Sequence, residues 1–439
     1  MSIKQVLVIG GGAGGMLAAG RAAELGAEVT LLEKMERPGK KVLLSGNGRC
    51  NLSNTRDIGE FITMFGPNGR FLYHAFHHFF RDDLLKLLAA LGVMTLAEPD
   101  GRIFPVSGKS TDVVKALQKY MSGRGVKVLT GVKVTAIEIA DNSTVSVKTS
   151  AAGYPADSVV LATGGASYPQ TGSTGDGYRM AAKLGHSIVS LRPALVPLTV
   201  KERQAAASLQ GISLSDARLT SFSCRAEDID VAATPRADRG RGLVTGKSRS
   251  PVVESRRGSI VFTQDGLSGP AALLMSLSVA DVMKEGPVSL AIDLQPGKTL
   301  LQLSEDLKTV ICAHGGRQVK SILNELLPER IALAVLMKAG VPADTGASQV
   351  TSIQRQAITR ALKGLAFNAE GVRPLTEAMV TAGGVSLKEV DPRTMQSKII
   401  RGLYFCGEVL DLDADTGGFN LQAAFSTGYL AGECAARAR

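Results

Sequence analysis

Apolar residues dominate positions 5–9 and stop abruptly at Gly10-Gly11-Gly12-Ala13-Gly14-Gly15. Residues 16–25 then place Ala and Leu where a helix packs on a sheet, Gly26 ends that pattern, and 29–32 is a second strand-like run. Strand, glycine turn, helix and strand within about 30 residues predict a β-α-β unit. A polar, glycine-rich loop follows over 38–54, 71–91 and 110–123 read as helices, and 127–139 carries two strand-like runs. Residues 158–162 are a mostly apolar run closed by Thr163-Gly164-Gly165, the pattern of a strand covered on both faces.

Near Pro193 and Pro197 the pattern changes. Segments 219–226 and 258–263 alternate like half-buried strands. Between them, 235–257 is rich in Gly, Ser and Pro. It carries Arg236, Arg239, Arg241, Lys247, Arg249, Arg256 and Arg257 against only Asp238 and Glu254, which predicts a mobile basic loop. Residues 300–338 read as helix broken at Gly315-Gly316 and Pro328, and 354–365 as a further helix. Tyr404-Phe405-Cys406-Gly407 restores the strand-then-glycine grammar of the amino terminus, and 420–437 closes as a helix. The expected fold class is α/β: one nucleotide-binding domain interrupted by a β-rich and then helical insert.

A length of 439 residues fits two or three domains. The chain has no Trp and only 5% aromatic residues, which weakens any nucleic-acid interface built on stacking platforms. A net charge of +10 fits an anionic partner, either a phosphate-bearing cofactor or a polynucleotide. Cys50, Cys224, Cys312, Cys406 and Cys434 are odd in number, widely spaced and free of any C-x-x-C. A disulfide framework and a zinc site are therefore not expected, and a cytoplasmic, reducing location is. No leader-like amino terminus and no run of about 18 apolar residues is present, so no membrane span is expected.

The chemistry sits in the glycine clusters. Gly10-x-Gly12-x-x-Gly15 supplies a tight turn, a close backbone approach to a pyrophosphate and close helix–strand packing, and Ala13 and Gly14 open the helix whose free amides face the phosphates. Glu33, at the end of the second strand, is placed to accept from adenosine ribose hydroxyls. A nicotinamide dehydrogenase keeps its nucleotide site on one continuous domain. Here a second signature comes late: Gly407-Glu408, then Thr416-Gly417-Gly418-Phe419-Asn420-Leu421-Gln422. That points to FAD, long enough to need both segments, with the helix after Gly418 aiming its positive end at the flavin N1–C2=O edge. A third signature, Ser45-Gly46-Asn47-Gly48-Arg49-Cys50-Asn51, offers amides, a guanidinium and a thiol. Arg49 suits a diphosphate or an anionic substrate, and Cys50 is either a packed thiol, the favoured reading, or a redox thiol. His74, His77 and His78 share a predicted helix, but their aromatic neighbours and the lack of an H-E-x-x-H pattern favour packing, and no metal is expected.

These motifs together resemble the BaiN/RdsA-type family of FAD-dependent oxidoreductases, which includes aminoacetone oxidase-like members. The resemblance spans nearly the whole chain. It rests on the Gly10–Gly15 fingerprint with Glu33-Lys34, on Lys40 to Asn54, Ala162 to Pro169, Gly266 to Pro270, Thr381 to Val385 and Thr394 to Lys398, and on Gly407 to Asp411 with Gly417 to Gln422. It implies a two-segment Rossmann-like FAD-binding domain (1–194 and 366–439) with an inserted small β-barrel (195–298) and helical domain (299–365). It implies FAD contacts at Gly10, Gly12, Ala13, Gly14, Gly15, Glu33, Lys34, the Ser45–Asn51 loop, Val134, Ala162, Thr163, Gly164, Gly165, Gly407, Glu408, Gly418, Phe419, Asn420, Leu421 and Gln422, and NAD(P)H as transient electron donor. Activities in the family range over uridine reduction in ribosomal RNA, reduction of a steroid-like enone and oxidation of a small amine. This chain departs from the family pattern at Gln264, usually His, at Phe419, more often Tyr, and in its longer basic stretch. Those departures bear on the substrate rather than on FAD. The expected reaction is reduction of a conjugated C=C bond, with ribosomal RNA as partner through the basic surface. Amine oxidation, a small-molecule enone and a non-catalytic FAD-bearing protein are the alternatives, and the sequence singles out no catalytic acid.

Overall fold

The computed structural model describes residues 3–233, 235 and 251–438. They form two compact units, one of 1–193 with 375–439 and the other of 194–374.

The first unit is built on a five-stranded sheet. Its strands are β1 (Gln5–Ile9), β2 (Glu28–Glu33), β3 (Lys127–Thr130), β4 (Ser158–Leu161) and β11 (Leu403–Phe405), in spatial order β11-β4-β1-β2-β3. The central pairings are all parallel. Parallel strands are covered on both faces, which is why β1, β4 and β11 read as short apolar runs without alternation; every residue of β4 and β11 is buried. The fingerprint helix, Ala13–Glu24, and the C-terminal helix, Phe419–Arg437, pack against each other on this sheet. The expected helix over 71–91 is instead interrupted. Tyr73–His78 and Arg81–Ala90 are separate helices because Phe79 is extended (φ −151°, ψ 109°) and turns its buried ring onto Tyr429.

In the second unit, six antiparallel strands close into a barrel: β5 (Leu198–Val200), β6 (Ser213–Phe222), β7 (Val252–Phe262), β8 (Gly266–Ser268), β9 (Ser289–Asp293) and β10 (Leu365–Val372). The ring runs β5-β8-β7-β6-β9-β10, and pairing of β5 with β10 completes it. Helices Leu300–Ala313, Glu329–Ala339 and Ser352–Lys363 share the barrel's apolar core. Strand β10 belongs to this ring, so the second segment of the nucleotide-binding unit resumes at Leu375, not at 366.

The basic stretch also needs correction. Arg236, Arg239, Arg241, Lys247 and Arg249 lie outside the described residues. Arg256 and Arg257 are not loop residues but part of β7, whose pairing with β6 buries Val252, Val253, Glu254 and Ser255. Arg257 is held by Asp216 at 2.7 Å, and Arg256 by Glu254 at 2.7 Å. Among the described residues, no helix is long and apolar enough to cross a membrane.

Candidate functional site

All the expected cofactor residues belong to the first unit, and most cluster where β1, β2, β4 and β11 end on the same edge of the sheet. Open parallel sheets present their ligand crevice at that carboxyl edge. The three fingerprint glycines are needed for different reasons. Gly10 takes φ +102°, and a Cβ there would sit 2.5 Å from Ala162 O. At Gly15 a Cβ would lie 1.9 Å from Gly10 O, so helix and strand could not close up. Gly12 has nothing within 4 Å of the same position: it faces open space at the amino end of the helix. That helix has no side-chain cap and no acidic residue in its first turn, leaving its amides to an outside acceptor. Glu33 stands beside it, buried, with Oε2 accepting from Gly11 N at 2.7 Å and Oε1 from Met35 N at 2.8 Å.

The C-terminal helix repeats the arrangement. Gly418 precedes it at φ +92°, again without a side-chain cap. The two helices touch through small residues. A Cβ on Gly428 would come within 2.3 Å of Gly14 O, and one on Gly432 within 2.2 Å of Ala18 O. The matched spacing shows that the helices run in the same direction. Thr427 is then level with Ala13, eight residues beyond Phe419. At about 1.5 Å per residue, the two positive ends point the same way, staggered by about 12 Å. Near these ends, Thr163 Oγ1 and Gln422 Oε1 are buried without a hydrogen-bond partner among the described residues. A ligand with two electron-rich groups set apart along its length fits this pair of ends, and the residues present fit FAD.

The loop of 45–51 is locked into shape by left-handed residues, with φ of 56° at Gly46, 55° at Asn47, 83° at Gly48 and 64° at Cys50. It is pinned to the late glycine segment, 363 positions away in the case of Asn54, whose Nδ2 donates to Gly417 O at 3.0 Å. Asn51, with its amide oriented to suit both neighbours, donates to Ser53 O at 3.2 Å and accepts from Gly418 N at 3.0 Å. Gly418 has to be glycine here, since a Cβ would meet Ser53 O at 2.3 Å. Arg49 is turned elsewhere: its guanidinium lies 4.1 Å over the Phe104 ring and pairs with Glu98 at 2.5 Å. Burial pushes the Cys50 thiol up to about 11 and that of Cys406 to about 12. Neither is poised as a thiolate, so Cys50 is a packed thiol.

Asn420 is committed to its own loop, its side chain pairing with both Ala414 N and Ala414 O. Lys34 Nζ is held by Thr174 at 2.6 Å and Asp176 at 2.5 Å. Val134 is buried just past β3, where Val132 N donates to Glu33 O. Glu408 is the centre of a cluster the sequence did not single out. Lys41 Nζ donates to both its oxygens, at 2.8 and 2.6 Å, and to Ser167 Oγ at 2.7 Å. Thr381 N reaches Glu408 Oε1 at 3.0 Å and Gly165 N reaches Oε2 at 3.4 Å. The signal in the sequence was the lysine pair Lys40-Lys41 before the third glycine signature, but only folding shows that Lys41 finds a carboxylate 367 positions away.

His74, His77 and His78 are exposed on their helix rather than packed inside. His78 Nε2 is 3.3 Å from Glu433, and His77 Nδ1 is 2.8 Å from Tyr73 O. His186 is sealed in the interior, with Nε2 2.9 Å from Ser397 Oγ and Nδ1 at ion-pair distance, 3.3 Å, from Glu389 without hydrogen-bond alignment. Among the described residues no three His, Cys, Asp or Glu side chains come together as metal ligands.

The HI0933-like protein Rossmann domain family matches residues 4–434. The chain belongs to this family. It is a flavoprotein oxidoreductase of the BaiN/RdsA type, as its motifs imply. It is 31% identical over 437 residues, 99% of each chain, to the 3-dehydro-bile acid delta(4,6)-reductase of Clostridium scindens. It is 27% identical over 426 residues, 96% of each chain, to the ribosomal RNA dihydrouridine synthase of Haemophilus influenzae. Among solved structures, the fold resembles the 3-ketosteroid-delta4-(5alpha)-dehydrogenase of Rhodococcus jostii, with a TM-score of 0.50, 16% identity and coverage of 99% of this chain and 97% of that one.

Proposed function

We propose that this enzyme holds FAD along the carboxyl edge of the first unit's sheet and reduces a conjugated C=C bond, with uridine in ribosomal RNA as substrate and NAD(P)H as electron source, in the cytoplasm. The observation that carries the FAD placement is the pair of uncapped, parallel helix ends staggered by about 12 Å.

In this reading the amides of Ala13, Gly14 and Gly15, reached past the open face of Gly12, take the diphosphate. Glu33, oriented by the Gly11 and Met35 amides, accepts from the adenosine ribose. The first-turn amides at Asn420 and Leu421 face the electron-rich pyrimidine edge, and the buried Gln422 and Thr163 hydrogen-bond the cofactor. Glu408 acts from behind, fixing Gly165, Ser167 and Thr381 around the crevice rather than offering a free carboxylate. Arg49, half-exposed on Phe104, takes the anionic substrate instead of the diphosphate. Bound FAD supplies two-electron chemistry at an electron-poor carbon; the chain's part is to orient it, exclude water and stabilise developing charge.

The +10 charge and the name of the H. influenzae relative support an RNA substrate. The C. scindens relative favours a second reading, a small conjugated enone, by the same chemistry. The test is mass analysis of ribosomal RNA from a strain lacking this protein, alongside reoxidation of the reduced holoprotein by a ribosomal RNA transcript or a small enone. Loss of one dihydrouridine supports the RNA reading. An unchanged modification pattern with rapid reoxidation by the enone selects the second. A protein that takes up no FAD ends both.

A further inference from the structure

The C-terminal helix starts from a turn that cannot hold its own shape. Gly417 and Gly418 follow one another at φ 140° and 92°, and a peptide plane between two glycines meets little steric resistance to rotation. What fixes it is a segment 363 positions earlier. Asn54 Nδ2 donates to Gly417 O, and Asn51 Oδ1 accepts from Gly418 N, each at 3.0 Å. That carbonyl and that amide are the two poles of one peptide group, so the plane is gripped from both sides.

The asparagines are themselves held. Ser53 and Asn54 pair antiparallel with Ile103 and Arg102. Arg81, the first residue of its helix, donates through one nitrogen to Asn54 O at 3.4 Å, Thr55 O at 2.7 Å and Arg56 O at 3.0 Å. Asn54 Oδ1 accepts from Arg56 N at 3.3 Å, which leaves its Nδ2 for Gly417. Asn54 is buried, so water does not stand in for it.

A helix leaves its first four amides without internal partners. Asn51 takes the one on Gly418, and those of Phe419, Asn420 and Leu421 have no acceptor among the described residues. Two side chains at the same end are fully buried and also lack a partner: Ser53 Oγ, whose backbone touches Gly418, and Gln422 Oε1 in the first turn. Buried polar groups left open together at one helix end fit a ligand that supplies their partners.

We propose that Asn51 and Asn54 are positioning residues that grip the Gly417–Gly418 peptide, fix where the positive end of the helix points and so raise the reduction potential of the flavin. This rests on the function proposed above, which sets that end against the flavin N1–C2=O edge. Uptake of two electrons and one proton leaves negative charge at that edge, and a helix end held against it favours the reduced form. With the peptide free to rotate, the first turn loses its aim and the reduced form loses that support.

The test is dye-equilibrated reduction of the FAD-loaded full chain, comparing Asn54→Ala with Ser158→Ala. Ser158 Oγ donates to Ala435 O at 3.1 Å, so its loss loosens the far end of the same helix. Both variants should melt below the parent. Asn54→Ala should shift the reduction equilibrium about tenfold toward the oxidised flavin, a potential about 30 mV lower for two electrons. Ser158→Ala should leave the potential where it is. An unmoved potential in Asn54→Ala, or an equal fall in both variants, overturns the assignment. If Asn54→Ala retains too little FAD to titrate, hydrogen exchange of the cofactor-free chain reads the same grip. Amides 417–421 should exchange faster in Asn54→Ala but not in Ser158→Ala, and unchanged exchange there also overturns it. A parent chain that takes up no FAD sinks the function proposed above, a failure distinct from an unmoved potential in a flavin-loaded protein.

Discussion

Gly12 separates binding from folding, whereas Glu33, which also accepts two backbone amides, serves both. Because a Cβ at Gly12 meets nothing in the protein, Gly12→Ala should leave the Tm of the cofactor-free chain unchanged yet raise the Kd for FAD by about tenfold, checked by melting and by flavin titration. Glu33→Ala removes an acceptor already oriented by two amides, and it should weaken FAD by about 1.5–3 kcal/mol. His186 carries a pH dependence. Burial holds its imidazole below the ordinary 6.5, outweighing the Glu389 carboxylate beside it. The unfolded chain therefore takes up a proton near pH 6.5 that the folded chain refuses. Stability is full above that pH and falls as pH drops below it. Denaturant titrations from pH 8 to 5 should show this fall, and it should flatten in His186→Gln. Such pairings were not legible in the sequence, since Ser397 and Glu389 reach His186 from over 200 positions away.

Element by element, hydrophobic pattern gave the strands of the central sheet and the helices at 110–122 and 419–437, because a short apolar run and a 3.6-residue repeat are local properties. It failed at 71–91, where Phe79 and Phe80 fit the apolar repeat of a helix while tertiary packing against Tyr429 extends the backbone at Phe79. It failed again at 252–257, where arginines and serines concealed a strand that its partner stabilises. The crossing of the fingerprint and C-terminal helices is decided by glycines lacking any local signature. Gly428→Ala would drive a methyl into Gly14 O. It should cost about 1–3 kcal/mol and, by splaying the two helix ends, lower flavin content in parallel, measured by denaturant unfolding and by absorbance of the purified protein.

For the whole molecule, charge is the property that reaches furthest beyond the chain. If the +10 excess serves a polynucleotide, affinity for a ribosomal RNA transcript should fall by about 10³-fold or more between 50 and 200 mM salt, whereas a flat response in filter binding would leave the small-molecule enone. The sequence by itself determined the family, the α/β class and the glycine grammar of a dinucleotide site, because turns, helix starts and buried strands are written in neighbouring residues. Only the tertiary structure decided that β10 closes the barrel, that Glu408 belongs to Lys41 and that Arg49 rests on Phe104. It alone set the two helix ends parallel and about 12 Å apart. Each of those facts depends on residues tens to hundreds of positions apart meeting within a few ångströms, and no local pattern encodes such a meeting.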